Sequence, residues 1–178
     1  MRGLLSRTLV SSRPVHAVTF VDNHDTQPGQ SLQSWVDGWF KEHAYAVILL
    51  RSEGLPCVFY GDLYGIPSCG INPVGGGLEK MLDVRRRLAY GEQIDYFDDA
   101  DIVGWTRLGD GDHPGSGIAV LLTDGPGGSK VMSVGADMAG AVFADSLGHR
   151  NERITIGEDG RAEFFVNGGS VSVWVKQD

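Results

Sequence analysis

"FVDNHDTQPGQ", residues 20–30, closes an apolar run that begins at Val15 and is broken only by His16 and Thr19. The run stops at Asp22. Asn23, His24 and Asp25 complete four consecutive polar or ionisable side chains, and Thr26, Gln27, Pro28 and Gly29 follow. A run with so little alternation, residues 15–21, reads as a strand covered on both faces, the pattern of a parallel sheet. Asp, Asn, Pro and Gly are also ordinary turn formers, so composition alone leaves a plain loop and a functional site both open.

Working outward, "WVDGWFKEHAYAVILLR" (35–51) predicts a helix that is apolar nearly all round in its C-terminal half, stopped by Gly54 and Pro56. Cys57 to Tyr60 predict a second buried strand, with Cys57 as a buried thiol. Strand, helix and strand in succession make a βαβ unit. Residues 65–77, rich in Gly and Pro, read as loop. Residues 78–90 predict a helix with Leu78, Met81, Leu82 and Leu88 or Ala89 on one stripe and Gly91 as its C-cap. Arg85, Arg86 and Arg87 crowd its last turns, where positive charge suits the helix dipole. That triplet reads as a capping, solvated face in preference to a phosphate site.

Beyond residue 95 the texture changes to short β-rich runs at 102–108, 117–123, 130–134, 141–145, 153–156, 162–166 and 171–176, with "EDGR" (158–161) as a hairpin turn. Such spacing predicts an antiparallel sandwich. The expected organisation is therefore an α/β part over 1–94 and a β part over 95–178. Two parallel strands cannot close a sheet by themselves, so the first ninety residues are expected to expose apolar surface and to be poorly stable alone.

The 178 residues carry 42% hydrophobic and 21% charged side chains, an ordinary globular balance. A formal net charge of −8 argues against nucleic acid or an anionic membrane as partner, because both select a basic face. Cys57 and Cys69 form no CxxC pair, and no apolar stretch reaches the length of a membrane span. The opening "MRGLLSRTLVSSRP" is basic and free of acids, as a transit peptide is, but lacks a secretory apolar core.

"FVDNHDTQPGQSLQSW", "WFKEHAYAVILLRSEGLPCVFYGDLYG", "YFDDADIVGWTR", "LLTDGPGGSKVMSVG" and "FFVNGGSVSVWV" together resemble α-amylases of glycoside hydrolase family 13, of the bacterial liquefying type and its intracellular fungal relatives. The resemblance covers nearly the whole chain. It implies the C-terminal part of a (β/α)8 TIM barrel followed by an antiparallel, Greek-key β-sandwich domain. It also implies that Met1 is an internal methionine of a longer chain. Chemistry in such barrels sits at the C-terminal ends of strands, which is where Asp22 to Asp25 fall. By the resemblance, Asp25 is the third catalytic carboxylate, the transition-state stabiliser, and His24 binds substrate. Asp22 and Asn23 brace the loop. The nucleophile and the general acid belong to earlier strands, and the 14 residues before Val15 contain neither Asp nor Glu.

The resemblance further implies a Ca2+ between barrel and β-domain, held by the carbonyl of Ala100 and the carboxylates of Asp101 and Asp124. On spacing alone, turn capping by these two aspartates is the competing reading. The implied activity is retaining hydrolysis of internal α-1,4-glucosidic bonds in starch, glycogen or maltooligosaccharides, and this chain by itself is expected to be inactive. The alternatives are a non-catalytic glucan- or partner-binding module, or one half of a split enzyme completed by the missing upstream barrel segment.

Overall fold

The computed structural model describes residues 1–177. A short helix, α1 (Leu9–Ser12), is capped by the Thr8 hydroxyl, which accepts from the Ser11 amide. It leads through a 3-10 turn at Pro14–His16 into β1 (Val18–Phe20). The strand expected from Val15 is thus shortened, because Pro14 fixes its own φ and starts the turn. After a long loop, a 3-10 turn at Gly38–Phe40 runs into α2 (Lys41–Leu50), and β2 (Leu55–Cys57) follows. β1 and β2 pair in parallel, Val18 with Leu55 and Phe20 with Cys57, which bears out the βαβ unit.

Two boundaries differ from expectation. Residues 35–37 lie outside α2, since Asp37 is extended (φ −56°, ψ 137°) and Trp35 instead packs under the Lys41 ammonium at 3.3 Å. β2 ends at Cys57, and Tyr60 already begins α3 (Tyr60–Tyr64). Cys57 is exposed and not the buried thiol expected, because β2 pairs with β1 alone and one face of that pair is open. Val18, Phe20 and Leu55 are 61%, 50% and 67% exposed on it.

α4 (Gly76–Arg87) buries Leu78, Met81 and Val84, a stripe shifted toward its N-terminus from the one the sequence suggested. Gly91 is not its C-cap, a place taken by Leu88. Gly91 has φ 82°, and a Cβ there would lie 1.9 Å from the Gly109 carbonyl oxygen, so close backbone approach requires the glycine.

The β part opens with β3 (Gln93–Tyr96), which straddles residue 94. Then come β4 (Ile102–Arg107), β5 (Ile118–Thr123), β6 (Gly128–Ser133), β7 (Val142–Asp145), β8 (Arg153–Thr155), β9 (Arg161–Val166) and β10 (Val171–Lys176). Six strands form an antiparallel sheet in the order β3-β4-β5-β10-β7-β8, and β6 and β9 form a separate antiparallel ribbon. The "EDGR" turn closes tightly, the Gly157 amide donating to the Arg161 carbonyl at 2.8 Å, yet the strands it joins pair elsewhere, β8 with β7 and β9 with β6. Met132, Phe143, Phe164 and Trp174 fill the space between sheet and ribbon.

The other face of the large sheet receives α2 and α4. Tyr45, Leu49, Leu78 and Met81 share one core with Val103, Trp105, Val120 and Val173. The apolar face of α2 is therefore buried on the β part and adds nothing to the apolar surface expected to be exposed over the first ninety residues. Each such side chain contributes about 1.5–3 kcal/mol on leaving water. Polar contacts reinforce the seam: Trp105 Nε1 donates to the Leu50 carbonyl at 3.2 Å, and the Arg51 guanidinium forks onto both oxygens of Asp95 at 2.8 Å. Among the described residues no helix is long and apolar enough to cross a membrane.

Candidate active-site loop

The loop that follows β1 divides into an inward half and an outward half. Asp22 is 1% exposed. Its Oδ2 lies 2.9 Å from Lys41 Nζ, and its Oδ1 accepts from the Val36 amide at 3.2 Å. Lys41, the first residue of α2, also bonds Asp62 of α3, whose second oxygen accepts from the Tyr45 hydroxyl at 2.6 Å. Tyr45 follows Lys41 by one helical turn, so both present to the same face. Burial and the Asp62 carboxylate push the Tyr45 phenol well above its ordinary range and keep it a donor. One ammonium thus ties the end of β1 to two helices in a site shielded from water.

Asn23 then folds the next turn on itself. Its Oδ1 accepts from the Asp25 amide at 2.9 Å and the Thr26 amide at 3.0 Å, while Thr26 Oγ1 accepts from the Asn23 amide at 3.1 Å. Asn is favoured where a short side chain must mimic a turn of backbone. Held by that turn, His24 and Asp25 point outward. Their side chains are 83% and 61% exposed, with His24 Nε2 3.4 Å from Asp25 Oδ1. A carboxylate and an imidazole side by side, at the C-terminal end of a parallel strand, can bind hydroxyl-rich ligands and meet developing positive charge.

The second group of predicted residues sits at the far end of β4 and β5. Their register sets Ile102 opposite Thr123, so Asp101 and Asp124 adjoin at the strand ends. Gly125 lies beside Asp101, a Cβ there falling 3.6 Å from the Asp101 Cβ. The Ala100 carbonyl accepts from the Met1 ammonium at 2.6 Å. No cluster of three or more His, Cys, Asp or Glu side chains suited to a metal occurs among the described residues.

Comparison with known proteins decides the family. Over 175 residues, 98% of the chain, it is 60% identical to the α-amylase of Geobacillus stearothermophilus, of which it covers 32%. Over 180 residues it is 54% identical to the α-amylase of Bacillus licheniformis, covering 99% of this chain and 35% of that protein. The chain belongs to the α-amylase family.

The match is to the C-terminal part of the amylases, and the chain spans about a third of the length of the curated relatives it matches. The cytoplasmic α-amylase of Escherichia coli K12 is 40% identical across the whole chain and 38% of its own length. Among solved structures, an α-amylase from Malbranchea cinnamomea superposes on 92% of the chain with a TM-score of 0.64 at 18% identity, and on 37% of its own chain. The α-amylase of Geobacillus thermoleovorans complexed with acarbose covers 90% with a TM-score of 0.60 at 15% identity, over 39% of its own chain. No protein-family model matches the chain.

The sequence marked Asp22 as a brace but not its partner Lys41, nor Asp62 and Tyr45, which extend the network beyond that lysine. The signal was present in "WFKEHAYA", where a lysine precedes a tyrosine by four residues, one helical turn, at the start of α2.

Proposed function

We propose that these residues supply the C-terminal strands of an α-amylase-type (β/α)8 barrel and its Greek-key β-sandwich domain. Together with earlier strands, they serve retaining hydrolysis of internal α-1,4 bonds in starch, glycogen and maltooligosaccharides. The observation that carries this reading is the division of the β1 loop. Asp22 is locked into a buried ion-pair network, while His24 and Asp25, two and three residues on, project to solvent from a strand's C-terminal end. The β part supports its half of the reading, because β10 returns to lie beside β7 after β8 and β9.

In a retaining mechanism a nucleophile and a general acid stand about 5–5.5 Å apart across the scissile bond. These belong to an Asp and a Glu outside the 178 residues. Asp25 contributes a fixed negative charge beside the sugar ring, where the oxocarbenium-like transition state gathers positive charge, and its gain is larger there than in the ground state. His24, adjacent to Asp25, donates to or accepts from a sugar hydroxyl of the same residue. The Asn23 turn and the Lys41–Asp22 pair hold both groups in place, so little ordering remains to be done when glucan binds.

Calcium fits the far end of the β4–β5 ladder as a partial site. Ca2+ takes about six to eight oxygens, and this chain offers the Ala100 carbonyl and the Asp101 and Asp124 carboxylates. The adjacency of the two aspartates in the strand register supports that fit. When bound, the ion would tie the β-domain to the barrel, with its remaining ligands from outside these residues.

The 178 residues alone should give no turnover of soluble starch in a reducing-sugar assay, since Asp25 stabilises and does not attack. Hydrolysis by this chain that disappears in Asp25→Asn would contradict the division of roles.

A further inference from the structure

A cavity of about 400 Å3 opens at the far end of α2 from the His24–Asp25 loop, between Arg51, the last turns of α4 and the end of β4. Ten residues of helix, about 15 Å, separate the two ends. Four guanidinium groups line it: Arg51, Arg85, Arg86 and Arg107. Their states differ. Arg51 is 3% exposed and already neutralised by Asp95 and Glu53. Arg86, on the exposed rim, reaches Asp83. Arg85 and Arg107 are half-buried, and among the described residues neither has a carboxylate partner. Each spends a donor on a carbonyl, Arg85 on Leu49 and Arg107 on Gly91, and both side chains line the cavity.

Two like charges facing one partly desolvated space oppose each other. Burial depresses both guanidinium pKa values, and the charge of Arg85 adds to the depression at Arg107. The acids that act on Arg107 from further away, Glu53 and Asp110, are themselves engaged, Glu53 with Arg51 and Gln93 and Asp110 with His113. The planar fork of an arginine matches the oxygens of a phosphate or carboxylate. A tetrahedral anion with several acceptor oxygens satisfies two forks at once.

We propose that Arg85 and Arg107 form a binding site for a small oxyanion of the phosphate class, remote from the catalytic loop. The reading of the arginine triplet as a purely solvated face thus holds for Arg86 and not for Arg85. The proposal does not depend on the glycosidase reading.

The test is a phosphate titration of the 178-residue protein at fixed ionic strength, followed by 31P line shape and by the Arg side-chain Nε–H resonances. Chloride and acetate serve as parallel arms. Saturable phosphate binding is expected, moving the Arg85 and Arg107 resonances and leaving Arg150 still. Arg107→Gln and Arg85→Gln should each weaken it roughly tenfold or more, the loss of one charged hydrogen-bond partner. Equal response to acetate, an unsaturable response, or Arg107→Gln with wild-type affinity would overturn the site. If the variants fail to fold, the resonances of the unaltered protein decide: phosphate that moves neither Arg85 nor Arg107 refutes it.

Discussion

Lys41 Nζ stands 2.9 Å from Asp22 Oδ2 and also bonds Asp62, with all three side chains almost wholly withdrawn from water. Two carboxylates against one ammonium leave a net negative charge, which the Tyr45 hydroxyl and the Val36 amide help to hold. Removing the ammonium leaves both carboxylates buried without a cation. Lys41→Met should therefore cost about 3–5 kcal/mol, the usual penalty for breaking a buried pair from one side. Urea unfolding measures it. A cost below about 1 kcal/mol would show that the network is not what fixes the loop.

His43 gives the fold a pH dependence. It is 1% exposed and stacks on Phe40 with centroids 4.9 Å apart. Its Nε2–H reaches the Thr123 carbonyl at 3.1 Å, while Nδ1 has no partner. Burial, the largest influence, lowers its pKa, against the opposing pull of Thr123 and Glu42. The unfolded chain then binds more protons than the folded one below about pH 6.5. The stability His43 contributes is complete above that pH and is lost as pH falls toward the lowered folded value. The difference in unfolding free energy between wild type and His43→Gln should accordingly shrink from pH 7 to pH 5. A constant difference would place His43 in a solvated setting.

Leu49 and Trp105 belong to one core that spans the α/β part and the β-sheet. Leu49→Ala should destabilise by about 2–5 kcal/mol. It should also shift the unfolding of α4 and of β4 together, because neither face of the seam is filled without the other. Residue-resolved hydrogen exchange separates the cases. Unchanged protection in β4 would mean that the two parts unfold independently.

What the sequence disclosed followed from periodicity. The parallel pair flanking α2 and the antiparallel β part were legible from apolar runs and turn residues. Boundaries were less so: Pro14 and Asp37 delay β1 and α2 by local backbone preference, which an apolar run does not reveal. The burial of α2 on the β-sheet was invisible, since nothing in "AYAVILL" states which surface it meets. At the loop, place after the strand left turn and site both open, and it was the resemblance to α-amylases that singled out His24 and Asp25. Asp22 acquires its partner Lys41 from 19 positions later, and Lys41 in turn bonds Asp62, 40 positions beyond Asp22, a juxtaposition only the fold creates.

Asp101 and Asp124 adjoin at the ends of β4 and β5. Joined to the remaining barrel strands, the chain should gain thermal stability with added Ca2+, by mass action on the folded state. Asp124→Ala should abolish most of that gain and leave starch hydrolysis in excess Ca2+ largely intact. A calcium response identical in Asp124→Ala would remove this aspartate from the site.

The most direct measurement of the central claim is the rate of soluble-starch hydrolysis by these residues completed with the earlier barrel strands, compared with the same protein carrying Asp25→Asn. The account predicts that activity is present in the completed protein. It predicts that Asp25→Asn removes about a thousandfold or more of kcat through lost transition-state stabilisation, while circular dichroism and melting temperature stay unchanged. A folded Asp25→Asn protein that keeps full rate would contradict the assignment of the β1 loop as part of the catalytic centre.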